Sequence, residues 1–585
     1  MGKNSSKTLD TDKKNEGGHL LVAAIDFGTT YSGYAFSFKN QFETDPCNIS
    51  AKTWAGGQLQ SLKAPTCVLI QPDGKTLEAF GYDAETRYSQ LCETGEQKNW
   101  YFFQRFKMLL WEKEIHKDTM LDDENGKSLP VLTVFSLSIR YMKDDLESMA
   151  SRQVSAITPE DIHWVLTVPA IWDDASKHFM RLAAQQAGIS SEKLSIALEP
   201  EVASIYCRHI KIEADEGCGI SSFQLGKKYI VLDAGGGTID ITVHEVGIGG
   251  QLKELYKASG GAWGGTEVDK GFMDFIANMT GKDIIQHFKE KNIEDYLYLL
   301  RDFEIKKRNT DSKSPGLVTI RLPLSLIELV KNKGETIEQI LQSSRYANMA
   351  TVTGDKFRLD VSIFRSFFKK SVDNIVLHLK QLLHEIDTTS IETILMVGGY
   401  SESPFLIETI EKKFPRMTVI IPKDPGIAVL KGAVIFGHCP TSITKRVSKY
   451  TYGTDVSELF DREKHPLEKL IETDDGDMCV DIFDVFVEAG QSLSVGETQY
   501  QYTYHPCYVD QSEVKFELYI TTEKDVKYVT DHGCKKVGCV VIPLSGSGLD
   551  RGVLVRLYLG GTEIMLEFEE ESTRKITRTV VDFLT

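Results

Sequence analysis

The chain lacks several signatures that would settle its class at once. It has no Gly-x-x-x-x-Gly-Lys-Ser/Thr loop behind a strand and no convincing strand followed by Gly-x-Gly-x-x-Gly, so the P-loop and Rossmann readings fall away. No run of about eighteen apolar residues occurs, which leaves nothing to span a bilayer. The ten cysteines (47, 67, 92, 207, 218, 439, 479, 507, 534 and 539) contain no Cys-x-x-Cys pair. The closest two, Cys534 and Cys539, have only His532 beside them, so reduced structural thiols are expected rather than zinc. Basic residues are also in deficit, 67 against 84 acids, and a net charge of −17 repels polyphosphate chains, which argues against a nucleic-acid partner. The first eighteen residues are polar, with no apolar core for a secretory signal, and point to the cytosol, with the nucleus as the alternative. Met1-Gly2-Lys3-Asn4-Ser5-Ser6 matches the N-myristoylation pattern, and one acyl chain on Gly2 would give reversible membrane association on the order of 10⁴ M⁻¹.

What is present is a duplicated loop. Asp26-Phe27-Gly28-Thr29-Thr30 follows the apolar run Leu21 to Ile25, and Asp233-Ala234-Gly235-Gly236-Gly237-Thr238 follows Tyr229 to Leu232. Both runs read as buried strands ending in a turn. Glycine lets backbone N–H groups approach phosphate oxygens, threonine adds hydroxyl donors, and the leading aspartate supplies an oxygen for magnesium or its waters. One such turn is a common hairpin. Two form a clamp that grips a nucleotide from both sides.

At 585 residues the chain should hold two to four domains. A polar tail (1–18) precedes strands over Leu20 to Phe38 and Ala64 to Ile70, and helical spacing runs from Val131 to Ala150. Trp164 to Val168 is a strand stopped by Pro169, and Asp173 or Asp174 caps the helix that follows. A hairpin lies between Thr242 and Gly265, with helices over Val268 to Arg308 and Ile363 to Glu385. Ile394 to Val397 is a strand running into Gly398-Gly399, and a small-residue helix spans Gly426 to Ile435. From Arg446 onward, alternating Val, Tyr, Phe and Thr segments such as Val526 to Ile542 and Val553 to Phe568 predict a separate β-rich domain.

Taken in order, DFGTTYS (26–32), TVPAIWDDA (167–175), EPEVAS (199–204), DAGGGTID (233–240), FEIKKR (303–308) and VGGYSESP (397–404) resemble the actin, hexokinase and seventy-kilodalton heat-shock superfamily. The heat-shock branch fits best. The Phe-Lys-Met turn at 106–108, KYTYG at 449–453 and GGTEIMLEFEEE followed by VDFLT are similar to its divergent twelfth class. The resemblance implies an α/β fold: a two-lobed actin-like (ribonuclease H-like, duplicated) ATPase domain over 19–439, divided near 225, then a smaller β-rich domain over 446–585.

It also implies roles. Gly28, Thr29, Thr30, Gly235, Gly236, Gly237 and Thr238 would hold the phosphates of ATP or ADP, with Asp26 and Asp233 facing Mg²⁺ through water. Lys107, Glu199 and Asp240 would be catalytic. Glu304, Lys307 and Arg308 share one helix face at i, i+3, i+4 spacing and suit the ribose and adenine, although Glu304 and Arg308 also read as an ordinary helix ion pair. Gly398, Gly399 and Ser401 would let backbone approach the adenosine. Departures count too: Gly426 stands where the family has an acid, the apolar interdomain linker is replaced by polar Pro440 to Arg446, and no helical lid follows. The expectation is an ATP-binding, slowly hydrolysing chaperone-like protein that engages a protein partner or client through its C-terminal domain. A nucleotide-sensing scaffold without useful turnover is the alternative, and a sugar or metabolite kinase ranks third.

Overall fold

A computed structural model describes residues 19–56, 59–154, 157–210, 223–311, 316–386, 390–473, 476–506 and 509–584. The Gly2 motif, Cys218 and Cys507 lie outside them. The first major sheet runs Leu194–Leu198, Ile162–Val168, Leu21–Asp26, Tyr31–Phe38 and Ser50–Ala51 in spatial order. Its first three strands are parallel and the remainder antiparallel. The second sheet repeats this plan with Thr418–Ile420, Ile391–Val397, Lys228–Ala234, Ile239–Val246 and Leu252–Gly261. The central strands are near-continuous apolar runs because helices cover both of their faces. In each sheet the loop with the leading aspartate leaves the carboxyl end of a central strand, where open α/β sheets place their ligands.

The helices follow from pattern and caps. Asp173 accepts the Ser176 N–H at 2.8 Å and starts Asp174–Gln186, while Asp360 caps Val361–Glu385 through the Ser362 N–H at 2.8 Å. Val131–Gln153 and Asp174–Gln186 bury Phe135, Met142 and Phe179 against the outer face of the first sheet. Gly265–Thr280, Ile293–Asn309 and Val361–Glu385 cover the second, where Phe272 stacks on Phe303 at 4.2 Å and Phe364 and Phe367 close the layer. Each such buried side chain contributes about 1.5–3 kcal/mol of apolar burial. Glu199–His209 and Ala428–His438 pack on each other between the sheets, and their small residues form one core with Val22, Val165, Val231 and Leu395 from both sheets. Away from that core the halves meet again where Leu69, Tyr88 and Phe102 touch Ile293 and Leu297. Ion pairs Arg105–Asp269 (3.2 Å), Lys289–Glu124 (2.7 Å) and Arg301–Glu85 span the same boundary.

Beyond the helices lie two further sheets. One runs Leu470–Thr473, Gly476–Val487, Thr451–Leu459, Glu513–Thr521 and Lys535–Pro543; the other runs Tyr500–Tyr504, Val553–Tyr558, Met565–Glu570 and Ile576–Val580. They enclose Phe516, Leu518, Val555, Leu557 and Leu566. The strand expected over Val526 to Ile542 forms only from Lys535. Before it the chain turns, with Asp531 N–H on Tyr528 and Cys534 N–H on Asp531, and with Gly533 at φ 83°.

The polar segment after Pro440 is not a free linker. Ile443–Val447 adds as a strand parallel to Leu252–Gly261, and Ser492–Ser494 pairs with its other edge. Ile443 is buried, and Arg446 is buried with Nε and Nη2 on Glu201 at 2.7 and 2.8 Å. An arginine therefore occupies an interior position because a glutamate on the helix Glu199–His209 awaits it. Further contacts seat the C-terminal sheets on the first half: Arg181 forks onto Glu563 with two bonds of 2.5 Å, Tyr452 Oη donates to Asp174 at 2.7 Å, and Lys449 Nζ donates to the Ile171 carbonyl at 2.8 Å. No helix among the described residues is long and apolar enough to cross a membrane.

Candidate functional site

Between the two sheets opens a cleft of about 1070 Å³, including its solvent-filled mouth. Its floor is the two duplicated loops, which press against each other. A Cβ on Gly236 would lie 2.1 Å from Thr30 Oγ1, and one on Gly237 would lie 2.3 Å from Met108 Sδ and 2.6 Å from Thr29 Oγ1. Only glycine permits that approach. The second loop is pinned from behind, since the N–H groups of Gly264, Gly265 and Thr266 bond the carbonyls of Gly237, Gly235 and Gly236 at 3.1, 3.1 and 2.8 Å. The first is pinned by Thr66 Oγ1, which donates to the Gly28 carbonyl at 2.7 Å, and by Thr66 N–H on the Thr30 carbonyl at 2.9 Å. With carbonyls facing backward, the loops present a rigid rim.

Asp26, Glu199, Asp233 and Asp240 are gathered there and interact electrostatically. Lys63 Nζ donates to Asp26 Oδ2 at 2.5 Å, and Thr167 Oγ1 donates to Oδ1 at 3.1 Å. Lys107, which is 2% exposed, donates to Glu199 Oε1 at 2.7 Å and lies 5.0 Å from the centre of the Trp172 ring. Burial raises the Glu199 carboxyl to about 7 against the pull of Lys107, with Asp26 and Asp240 adding to the rise. Asp233 is pushed well above the ordinary carboxylate range by burial and by Glu199, Asp240 and Asp26. Its Oδ2 is buried and has no hydrogen-bond partner among the described residues. Four carboxyl groups facing two lysines crowd acceptor oxygens around that orphaned one, and their mutual repulsion is what lifts Glu199 and Asp233 beyond burial alone. Among the described residues no three acidic, histidine or cysteine side chains form a closed metal cage. The donor set fits a hydrated Mg²⁺, which keeps its waters and takes one or two carboxylates plus phosphate oxygens.

At the other wall Glu304 binds Lys307 at 2.5 Å and Arg308 at 2.7 Å. Although burial opposes it, these two cations hold the Glu304 carboxyl down to about 2. Lys307 also reaches Asp269 at 2.7 Å, and Arg308 reaches Glu402 at 2.7 Å. Glu304 and Arg308 thus form the helix ion pair and line the cleft as well.

The structure brings Asp26, Gly28, Thr29, Thr30, Lys107, Glu199, Asp233, Gly235, Gly236, Gly237, Thr238, Glu304, Lys307, Arg308, Gly398 and Gly399 to this lining. Two expected residues stand behind it. Asp240 is buried and accepts the Ile171 N–H at 2.8 Å and Thr238 Oγ1 at 3.2 Å, so it braces the second loop. Ser401 is buried with its hydroxyl turned back to the Val397 carbonyl at 2.6 Å. Sequence reasoning missed Lys63, Glu402 and Ser403, which do line the cleft. Lys63 carries no motif, and its partner lies thirty-seven positions away. Glu402 and Ser403 sat inside the recognised VGGYSESP run.

This arrangement is that of a mixed α/β protein with an actin-like ATPase domain. The chain belongs to the Hsp70 family: the family model for Hsp70 protein matches residues 102–482. Over 624 aligned residues it is 34% identical to the heat shock 70 kDa protein 12A of Mus musculus, covering 97% of this chain and 92% of that one. The human 12A protein is 33% identical, with 98% and 93% covered, and human heat shock 70 kDa protein 12B is 33% identical, with 96% and 91% covered. Near-complete coverage on both sides groups the chain with the divergent type 12 branch.

Proposed function

We propose that this chain is an ATP-binding, slowly hydrolysing chaperone-like protein whose two α/β lobes close on Mg·ATP and thereby bias a C-terminal β-rich domain that holds a protein partner or client. The observation that carries the reading is the meeting of the two glycine loops, Thr29 and Thr30 against Gly236 and Gly237, beside an unpartnered Asp233 oxygen. Asp26 and Asp233 would hold Mg²⁺, which when bound would supply positive charge to offset that of the phosphates. Lys107 neutralises charge at the terminal phosphate. Glu199, ionising near neutral pH, orients a water and takes its proton. Neither group requires a covalent intermediate, and positioning alone gives slow turnover.

Support for coupling comes from a short relay. Asp240, two residues beyond Thr238, holds the Ile171 N–H, and Lys449 of the C-terminal segment holds the Ile171 carbonyl. Movement of the second loop therefore pulls on the peptide that seats the C-terminal domain. The buried Arg446–Glu201 pair favours the second reading, a scaffold that senses nucleotide without useful turnover, because it fastens that domain to the first lobe. Calorimetric titration with Mg·ATP and Mg·ADP, then single-turnover assay with labelled ATP, separates the readings. Release of phosphate to water supports hydrolysis, retention of intact ATP supports the scaffold, and transfer to a sugar supports a kinase. No heat and no thermal upshift with either nucleotide refutes all of them.

A further inference from the structure

The wall of the cleft opposite the acidic cluster has a chemistry of its own. After the strand Ile391–Val397 the chain turns at Gly399–Glu402 and points Glu402 into the cleft. Glu402 Oε2 accepts from Arg308 Nη1 at 2.7 Å, and Arg308 Nε donates to Glu304 Oε1 at 2.7 Å. Held from both ends, the Arg308 guanidinium is a fixed plane 5.6 Å from the centre of the Tyr31 ring. Glu402 Oε1 lies only 2.8 Å from where a Cβ on Gly426 would stand, so a bare glycine there makes room for the carboxylate. Ile427 and Val429 continue this wall as an apolar strip. The Ser403 hydroxyl beside them is buried and lacks a partner among the described residues. A flat platform, an apolar strip, an acceptor oxygen and an orphaned hydroxyl describe a seat for a planar heterocycle that carries an N–H donor.

We propose that Glu402, assisted by Ser403, selects the base of the bound nucleotide by accepting a hydrogen bond from an exocyclic amine at C6 of a purine. This rests on the nucleotide-site reading above. A base with a carbonyl at that position, seated in the same pose, sets two acceptors against each other, so Glu402 disfavours it.

The test is calorimetry on the full chain with Mg·ATP, Mg·GTP and the magnesium complex of purine riboside triphosphate, which lacks the amine and adds nothing in its place. Hydrogen bonds to a charged acceptor predict that the wild type binds purine riboside triphosphate roughly 10- to 100-fold more weakly than ATP. Glu402→Ala removes that gap. Glu402→Gln, whose amide donates to a carbonyl, moves affinity toward GTP. The side chains of Glu402 and Arg308 are about one-third exposed (32% and 35%), and ligand-free melting curves of both variants check that they fold. Equal wild-type affinity for ATP and purine riboside triphosphate overturns the proposal without any variant, as does a gap that survives Glu402→Ala. Those results leave nucleotide binding standing, whereas failure of the wild type to bind any of the three sinks the site itself.

Discussion

Glu254 lies on the strand Leu252–Gly261 where the added strand Ile443–Val447 pairs with it, and one of its oxygens accepts the Val447 N–H at 2.8 Å. Glu201, Arg446 and Lys177 face it. Burial, reinforced by Glu201 and opposed by the Val447 N–H and Arg446, raises its carboxyl from the ordinary 4.5 to about 8. In the unfolded chain this group ionises near 4.5, while in the folded chain it keeps its proton until about 8. A raised folded value means stability that is fully present below 4.5 and lost as pH climbs through 8. At about 1.4 kcal/mol per pH unit, the loss over that window is on the order of 5 kcal/mol. Glu254→Gln keeps an acceptor for Val447 and cannot ionise. Thermal and urea unfolding of both chains, followed by circular dichroism from acid to mildly alkaline pH, should show matched stabilities at the acid end and an advantage for the glutamine variant that grows between about pH 4.5 and 8 and levels off above that. Parallel curves over the whole range would refute the idea that this interface buries a protonated carboxyl.

Other substitutions probe the cleft and the joint. Asp233→Asn removes the orphaned carboxylate and should stabilise the ligand-free chain at neutral pH by about 1–3 kcal/mol while weakening Mg·ATP by an order of magnitude or more, read by melting and calorimetry together. Gly237→Ala drives a methyl into Met108 and Thr29. It should cost about 1–3 kcal/mol of stability and lower Mg·ATP affinity, and unchanged affinity would mean that the loops do not grip from both sides. Arg446→Ala strands Glu201 in the interior and should cost about 3–5 kcal/mol, whereas Arg446→Met with Glu201→Leu should recover most of it in a double-mutant comparison of urea midpoints.

The duplicated sheets were legible because each begins with an apolar run ending in Asp-x-Gly, a local signal that needs no distant partner. The same held for the cleft floor, where Asp26, Thr29, Asp233 and Thr238 sit in short motifs. Lys63 was invisible because its role is made by tertiary contact with Asp26. Asp240 and Ser401 also lie inside motifs, but what their side chains touch was not legible there: Asp240 braces the second loop through the Ile171 N–H, and the Ser401 hydroxyl turns back to the Val397 carbonyl. The segment after Pro440 read as a polar linker since its composition shows Thr, Lys and Arg, and only the carboxylate of Glu201, far away in sequence, turns Arg446 into an interior residue.

The strand Ile443–Val447, flanked by Leu252–Gly261 on one side and Ser492–Ser494 on the other, makes the ATPase sheet and the β-rich region share one backbone ladder. Their junction is a weld rather than a hinge. Parting them means unzipping main-chain bonds one register at a time, so any stimulus that frees the C-terminal region must first peel this ribbon, and its grip depends little on which side chains the ribbon carries outside Ile443 and Arg446.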